Sequence, residues 1–399
     1  MVPTVVGFVA AGFVAMVVVA VLAERVEPPA LRVAARSLGF LAVVALTVEL
    51  ACGALLRREL ATFDAQQRRA LAHLVGEAEG DGLEGTGLTP IFAPHPFLNF
   101  ALNPAATYLG QAQFDARFLI RRREAVRPRS AVRWRVLVLG GSTTFNDGVA
   151  REQDTWVWRL EERLRAAYGA DVDVINGGVS GYALVDNLLH YTLLLRALEP
   201  DLIVLFTGIN DVHPRLFAGP RPDHAHARRR WAGGSSQVVD RLRPFVASRA
   251  VQLYLARGVR AGALGHIYAS VMPDYPAPAT WTASLAQNGP ETYAQQLDFA
   301  VRTFSAQGAR VAMLPQVWLP RDGDARDAAF GVGVAEHNVV NERVARAHGL
   351  PFGAGLASAF ERADVWDNCH FSPAGNVKMA ALVEAFLRES GLTPPSGRP

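Results

Sequence analysis

Two long apolar runs open the chain; after a polar interval, short apolar runs alternate with stretches of helical period. Residues 4–23 carry no charge and are rich in Val, Ala and Phe, long enough to cross a hydrocarbon core as a helix. A second apolar run covers about residues 37–56, flanked by Arg36 and by Arg57 and Arg58. Together they predict an N-terminal transmembrane helical hairpin over residues 1–58, with the lipid bilayer as a partner. A cleaved signal peptide is the alternative for the first run, but it wants a basic leading region, and Met1–Thr4 has none. Glu49 lies within the second run, where a carboxylate is costly. It fits best near an interface or in its protonated form.

From Glu59 to about Ala93 the chain turns polar and then Gly-rich at residues 80–87, which predicts a stalk and linker. Residues 95–133 read as an irregular, proline-containing lead-in that packs on the domain after it. Strand-like runs then appear at 135–139, 172–175, 202–206 and 311–314, with a weaker one at 350–352. Helical patterns separate them at 155–168, 183–198, 292–307 and 334–348, and residues 375–389 close the chain. Such alternation predicts an α/β domain over residues 134–390, a five-stranded parallel sheet covered by helices on both faces, with a short tail at 391–399. Sheets of this kind place their sites at the carboxyl ends of the strands.

Composition changes this picture little. The sequence of 399 residues has a formal net charge of only +3 despite a pI near 9.1, and its arginine clusters, as at 121–123 and 228–230, lack aromatic interleaving. No nucleic-acid partner is expected. The two cysteines, Cys52 and Cys369, form no disulfide framework and leave the redox compartment open. Basic residues near the membrane almost balance, Arg25, Arg32 and Arg36 against Arg57, Arg58, Arg68 and Arg69. The positive-inside rule therefore sets no orientation; an extracytoplasmic catalytic domain is the expectation.

The candidate chemistry sits where the strands end. Ser142 follows the first strand on a Gly140–Gly141 turn and precedes a helix start. Taken alone it is equally readable as a nucleophile or as a helix N-cap. Asn176-Gly-Gly-Val-Ser-Gly181 follows the second strand, with Gly178 placed to let substrate approach a backbone N–H. Gly208-Ile-Asn-Asp211 follows the third. There Asn210 could aim its amide at a forming oxyanion, worth about 3 kcal/mol in comparable sites, or simply form the turn. Downstream, Asp367 and His370 precede Ser372-Pro373, a helix-start signature. The positive end of that helix should disfavour a charged imidazole, as a general base requires.

These four blocks, Gly-Gly-Ser142-Thr, Asn176-x-Gly178-x-x-Gly181, Gly208-x-Asn210-Asp211 and Asp367-x-x-His370, resemble those of the SGNH/GDSL hydrolases over about residues 134–390. The Asp and Leu of the family's Gly-Asp-Ser-Leu signature are Gly141 and Thr143 here; neither supplies the chemistry. The Gly-Gly-Ser-Thr-Thr form looks like a membrane-anchored bacterial branch. The resemblance implies a flavodoxin-like three-layer α/β/α sandwich, with Ser142 as nucleophile, His370 as base and Asp367 as orienting acid. It implies oxyanion donors at the Ser142 and Gly178 N–H groups and the Asn210 side chain.

Competing signals weigh less. There is no G-x-S-x-G elbow and no complete G-x-G-x-x-G after the first or second strand, so no cofactor is expected. His224 and His226 lack a ligand cluster, and no metal is expected. Cys369 reads as a small buried residue. An insertion over about residues 212–310 reads as a packing subdomain, a lid or a membrane-facing element. Trp318 and Trp366 could line an acyl or sugar pocket. The expectation is a membrane-anchored serine esterase acting through an acyl-enzyme on an ester, with an envelope glycan or lipid as a setting. An O-acyltransferase with the same Ser-His-Asp site and a catalytically idle binding protein are the alternatives.

Overall fold

The computed structural model describes residues 2–63, 68, 71, 91–93, 95–104, 106–122, 124–228, 245–260, 276–321 and 323–395. Most of the expected stalk, the Gly-rich stretch at 80–87 and the parts of the insertion at 229–244 and 261–275 lie outside them. Contacts divide the chain into two compact units, residues 1–78 with 229–271, and residues 79–228 with 272–399.

In the first unit, helix α1 (Val2–Ala23) pairs antiparallel with α2 (Pro29–Ala61). A Cβ added to Gly12 would meet Thr47 Oγ1 at 2.4 Å, and one on Gly39 would meet a Val19 methyl at 2.2 Å. Glycines at both crossings let the helices approach closely. Among the described residues one helix, α2, is long and apolar enough to cross a membrane; the apolar stretch Ala11–Ala23 is shorter. A third helix, α6 (Arg249–Arg260), comes from the insertion. Glu49 accepts from the Ser248 hydroxyl and from the Arg249 N–H (2.6 Å), placing its carboxylate at the N-terminus of α6, where orphan donors and the helix dipole favour it. Glu59 pairs with Arg260 at the other end. This helix of the insertion thus belongs with α1 and α2.

The second unit begins with two short antiparallel ribbons, β1 (Phe92–Ala93) with β2 (Ala101–Leu102) and β3 (Phe114–Asp115) with β4 (Ile120–Arg121). Four parallel strands follow, β5 (Trp134–Gly140), β6 (Val172–Asn176), β7 (Leu202–Phe206) and β8 (Arg310–Met313), in the order β6-β5-β7-β8. Where a fifth strand was expected, a single parallel bridge joins Met313 to Phe352. The Pro351 carbonyl accepts from the Met313 N–H and the Gly353 N–H donates to the Met313 carbonyl, both at 3.0 Å, but Pro351 has no N–H to extend the ladder.

Every residue of β5 is buried, and alternation sends its side chains to opposite layers. Val136 and Val138 face α4 (Trp156–Tyr168) and α10 (Pro373–Glu389), packing with Trp156, Leu160, Met379 and Val383. Leu137 and Leu139 face α5 (Leu184–Leu193), α8 (Glu291–Ala306) and α9 (Ala325–Ala347), packing with Leu184, Leu297, Phe304 and Val340. Apolar residues on both strand faces require helices on both, which makes the three-layer sandwich. The helical pattern at 183–198 breaks into α5 and a 3-10 turn at Leu195–Leu198. A further short helix, α7 (Trp281–Gln287), precedes α8.

Candidate active site

Ser142 opens α3 (Ser142–Phe145), directly after β5. The two glycines before it are required by contact. A Cβ on Gly140 would lie 2.3 Å from the Phe206 carbonyl oxygen, and one on Gly141 would lie 2.4 Å from Asn210 Nδ2. Gly141 therefore lets the Asn210 amide come up beside the serine. Asn210 follows β7 and donates through Nδ2 to the Tyr182 carbonyl at 2.9 Å, which leaves the second amide hydrogen for another acceptor. Neighbouring Asp211 is buried and accepts the Leu184 N–H at 3.0 and 3.2 Å, tying the turn after β7 to the start of α5. Burial pushes its carboxyl up to about 7, against the backbone donors.

A buried network props the same turn from below. Arg215 donates to His337 Nε2 at 3.1 Å, so the neutral imidazole carries its proton on Nδ1 and donates to the Gly208 carbonyl at 2.6 Å. Burial holds His337 down at about 3. Tyr293 donates its hydroxyl toward Asn341 Oδ1 at 2.6 Å.

Asp367 and His370 lie on the loop before α10. Asp367 Oδ1 accepts the backbone N–H groups of Cys369 (2.9 Å) and His370 (2.8 Å), and Oδ2 lies 2.6 Å from His370 Nδ1. Burial works against charge on the imidazole, but the Asp367 bond outweighs it and holds His370 above its ordinary range. Burial would raise Asp367, yet the His370 bond and the two backbone donors keep it low. The expected depression of the histidine by the helix N-terminus is thus overridden, because a carboxylate at bonding distance exceeds a partial helix charge. Asp367, Cys369 and His370 offer donor atoms within 4.8 Å of one another. The 2.6 Å contact between acid and imidazole is a short hydrogen bond, closer than two ligands on one ion stand.

Ser142, Asn210, Asp367 and His370 line one cavity of about 380 Å³. His370 Nε2 is buried with no hydrogen-bond partner, and the Ser142 N–H is unused by the backbone. Ile209, Trp281, Trp318 and Phe330 give the cavity its apolar wall, with Arg321, Arg326 and Asp327 at another side. Trp318 is held by an indole bond to the Asp327 carbonyl (2.9 Å) and packs on Phe330. Trp366 is not in this lining; it stacks on the His370 ring at 5.1 Å and is half exposed.

Gly178 is not brought to the cavity. Its N–H donates to Asn176 Oδ1 at 3.0 Å, and a Cβ there would lie 2.5 Å from Phe145 N. The glycine is required by the packing of the second turn against α3. The Gly181 N–H, on the same turn, is unused by the backbone, at a φ of +80°.

The profile of the GDSL-like lipase/acylhydrolase family matches residues 138–378, from β5 into α10. The chain belongs to this family. Its chemistry is the hydrolysis of carboxylic esters. Among solved structures, the chain is similar to LAE5, an alpha/beta hydrolase enzyme from the metagenome of Lake Arreo, Spain, at 18% identity over 65% of this chain and 96% of that one, TM-score 0.39. It is similar to an acetyl xylan esterase from Geobacillus stearothermophilus at 18% identity over 66% and 97%, TM-score 0.38. A lipase/acylhydrolase from Enterococcus faecalis aligns at 18% identity over 66% and 100%, TM-score 0.39. A search of curated proteins finds no match.

Around the site of this GDSL-family chain stand two residues that its motifs do not single out. Arg121, on β4, donates to the carbonyls of Phe145 (3.0 Å), Asn146 (3.3 Å), Val149 and Ala150 (3.1 Å), fixing the loop that leaves α3. Asp147 on that loop is buried beside His370. In sequence, Arg121 belongs to an ordinary arginine cluster, and Asn146-Asp-Gly148 reads as a turn.

Proposed function

We propose that Ser142 is the acyl nucleophile of this esterase, with His370 as general base and Asp367 holding the imidazole by Nδ1. The observation that carries this reading is the 2.6 Å Asp367–His370 contact, with an unpartnered Nε2 in the cavity that Ser142 also lines. Nε2 takes the serine proton as Oγ bonds to the acyl carbon, and the carbonyl electrons move to oxygen. The Asn210 amide and the Ser142 N–H receive that oxyanion. Collapse expels the alcohol with the proton from Nε2, and water repeats the sequence on the acyl-enzyme.

The cavity, about 380 Å³ with aromatic walls, is at the small end of ligand sites and suits a short acyl group on a ring-shaped alcohol. Residues 1–58 anchor the enzyme in a bilayer as a two-helix hairpin, residues 59–133 lead to the hydrolase domain at 134–390, and the substrate is an ester of an envelope glycan or lipid. The length and apolarity of α2 support the anchor.

The full chain in detergent, tested with p-nitrophenyl acetate and with acetylated oligosaccharides, decides the chemistry. Ser142→Ala should abolish turnover and labelling by a serine-directed phosphonate. Hydrolysis that survives the substitution unchanged refutes the mechanism. Reporter fusions after Leu22 and Arg58 test the hairpin; a cytoplasmic signal after Arg58 refutes the envelope setting.

A further inference from the structure

The imidazole of His370 meets carboxylates on both of its nitrogen sides. Asp367 bonds Nδ1, while Asp147 Oδ2 lies 4.0 Å from Nε2. Asp147 is buried and held on two further sides. The Ser180 hydroxyl donates to its Oδ2 at 2.5 Å. The Tyr108 hydroxyl, which accepts the Gly148 N–H at 2.7 Å, points its own proton at Oδ1 over 3.4 Å. Three elements thus converge to fix one carboxylate: the loop after α3, the turn after β6, and the lead-in ribbon segment. These bonds satisfy a buried carboxylate and hold its Oδ2 beside His370 Nε2.

We propose that Asp147 is a positioning residue for the reaction, a second carboxylate that stabilises the His370 imidazolium from its Nε2 side when the base takes the serine proton. This rests on the assignment of Ser142 as nucleophile and His370 as base. The step itself is unchanged: the proton moves from Ser142 Oγ to Nε2, Oγ bonds to the acyl carbon, and the proton leaves with the alcohol. Asp147 gains and loses no proton. It lowers the energy of the charged imidazole between those two transfers, and it keeps the ring's Nε2 edge directed at the cavity. Opposite charges about 4 Å apart in a buried site interact far more strongly than in water.

The other titratable or charged groups around the pair are Asp367 and Cys369 on the His370 loop and Tyr108 and Arg121 on the lead-in segment. Arg321 acts on Asp367 through its charge, and Arg362 donates to the Asp367 backbone carbonyl. Burial pushes the Asp147 carboxyl up, and the positive His370 pulls it back down, followed by the Ser180 bond and Arg121. The two groups therefore favour each other's charged forms.

The test is the pH profile of kcat/KM for the full chain and its Asp147→Asn variant, with the thermal midpoint recorded for both. Removing the charge should move the acid limb to lower pH by about one unit and lower the high-pH plateau by about tenfold, with kcat affected more than KM. A merely structural aspartate would reduce amplitude or midpoint and leave the limb where it was; an unmoved limb overturns the proposal. Ser180→Ala covers the case in which Asp147→Asn fails to fold. Without the hydroxyl, Asp147 protonates more readily and turns from His370, so the limb should move the same way by a smaller amount. An unmoved limb there also counts against the proposal. If Ser142→Ala retains activity, the nucleophile assignment fails; if it is dead while the Asp147 limb stays put, only the role of Asp147 fails.

Discussion

Arg121 reaches from β4 to the carbonyl of Phe145, 3.0 Å away, and so ties the lead-in segment to the short helix that Ser142 opens. The guanidinium is buried, and burial pulls it down to about 10. Its charge is nonetheless spread over four carbonyls, which a planar fork can reach and an ammonium cannot.

Arg121→Ala should therefore destabilise the catalytic unit by about 3–5 kcal/mol, because it strands several buried acceptors. Arg121→Lys should recover only part of this. Urea unfolding of the full chain in detergent, followed by tryptophan fluorescence, measures both. A loss below about 1 kcal/mol for the alanine variant would mean that water replaces the guanidinium without cost.

Gly141→Ala should remove activity while sparing the fold. The new Cβ would stand 2.4 Å from Asn210 Nδ2 and 3.1 Å from the Tyr182 carbonyl oxygen. The amide must shift, and with it an oxyanion donor, for a kcat loss of about 10²-fold or more. A variant with wild-type kcat would show that Asn210 takes no part.

Asp367→Asn should keep the loop, since an amide oxygen can still accept from Cys369 and His370 N–H. It no longer stabilises the imidazolium through Nδ1, and kcat should fall by about 10²–10⁴-fold with little change in KM. Equal losses through KM alone would point to a substrate-binding role instead.

The buried histidines should each withdraw stability as the solution is acidified through their range, while Asp211, raised by burial, works in the opposite direction below about pH 7. Burial lowers His190 and His213 to about 4 and His337 to about 3, from an ordinary 6.5. Between those values the unfolded chain binds protons that the folded chain refuses, so unfolding gains as pH drops. The contribution is complete above about pH 6.5 and is lost progressively toward pH 4, on the order of 1–3 kcal/mol for each group. Thermal midpoints measured from pH 8 to 4 check this; His190→Gln should flatten part of the slope.

The strand–helix alternation was readable in the residues because strands buried on both faces must be apolar throughout, as in β5 and β7. Ser142, Asn210, Asp367 and His370 were readable as well, since polar residues at strand ends and before a helix start stand out against that background. The weak fifth strand was not: the residues 350–352 have the composition of a strand, but they pair through one bridge, and Pro351 has no N–H to extend it.

The sequence by itself determined the order of elements and the residue types that can perform acyl chemistry, because periodicity and turn chemistry are local. Only the tertiary structure decided which N–H groups remain free and which charges meet. Gly178 looked like an oxyanion donor, but its N–H bonds Asn176 Oδ1 two residues away. Asp147 carries no signal in the sequence; the loop after α3 brings it to the Nε2 side of a histidine far along the chain. Glu49 was expected near an interface or protonated; its carboxylate instead meets the first turn of α6. Hydrogen-bond partners and electric fields depend on distance in space, and these distances are set by the packing of segments that the chain separates.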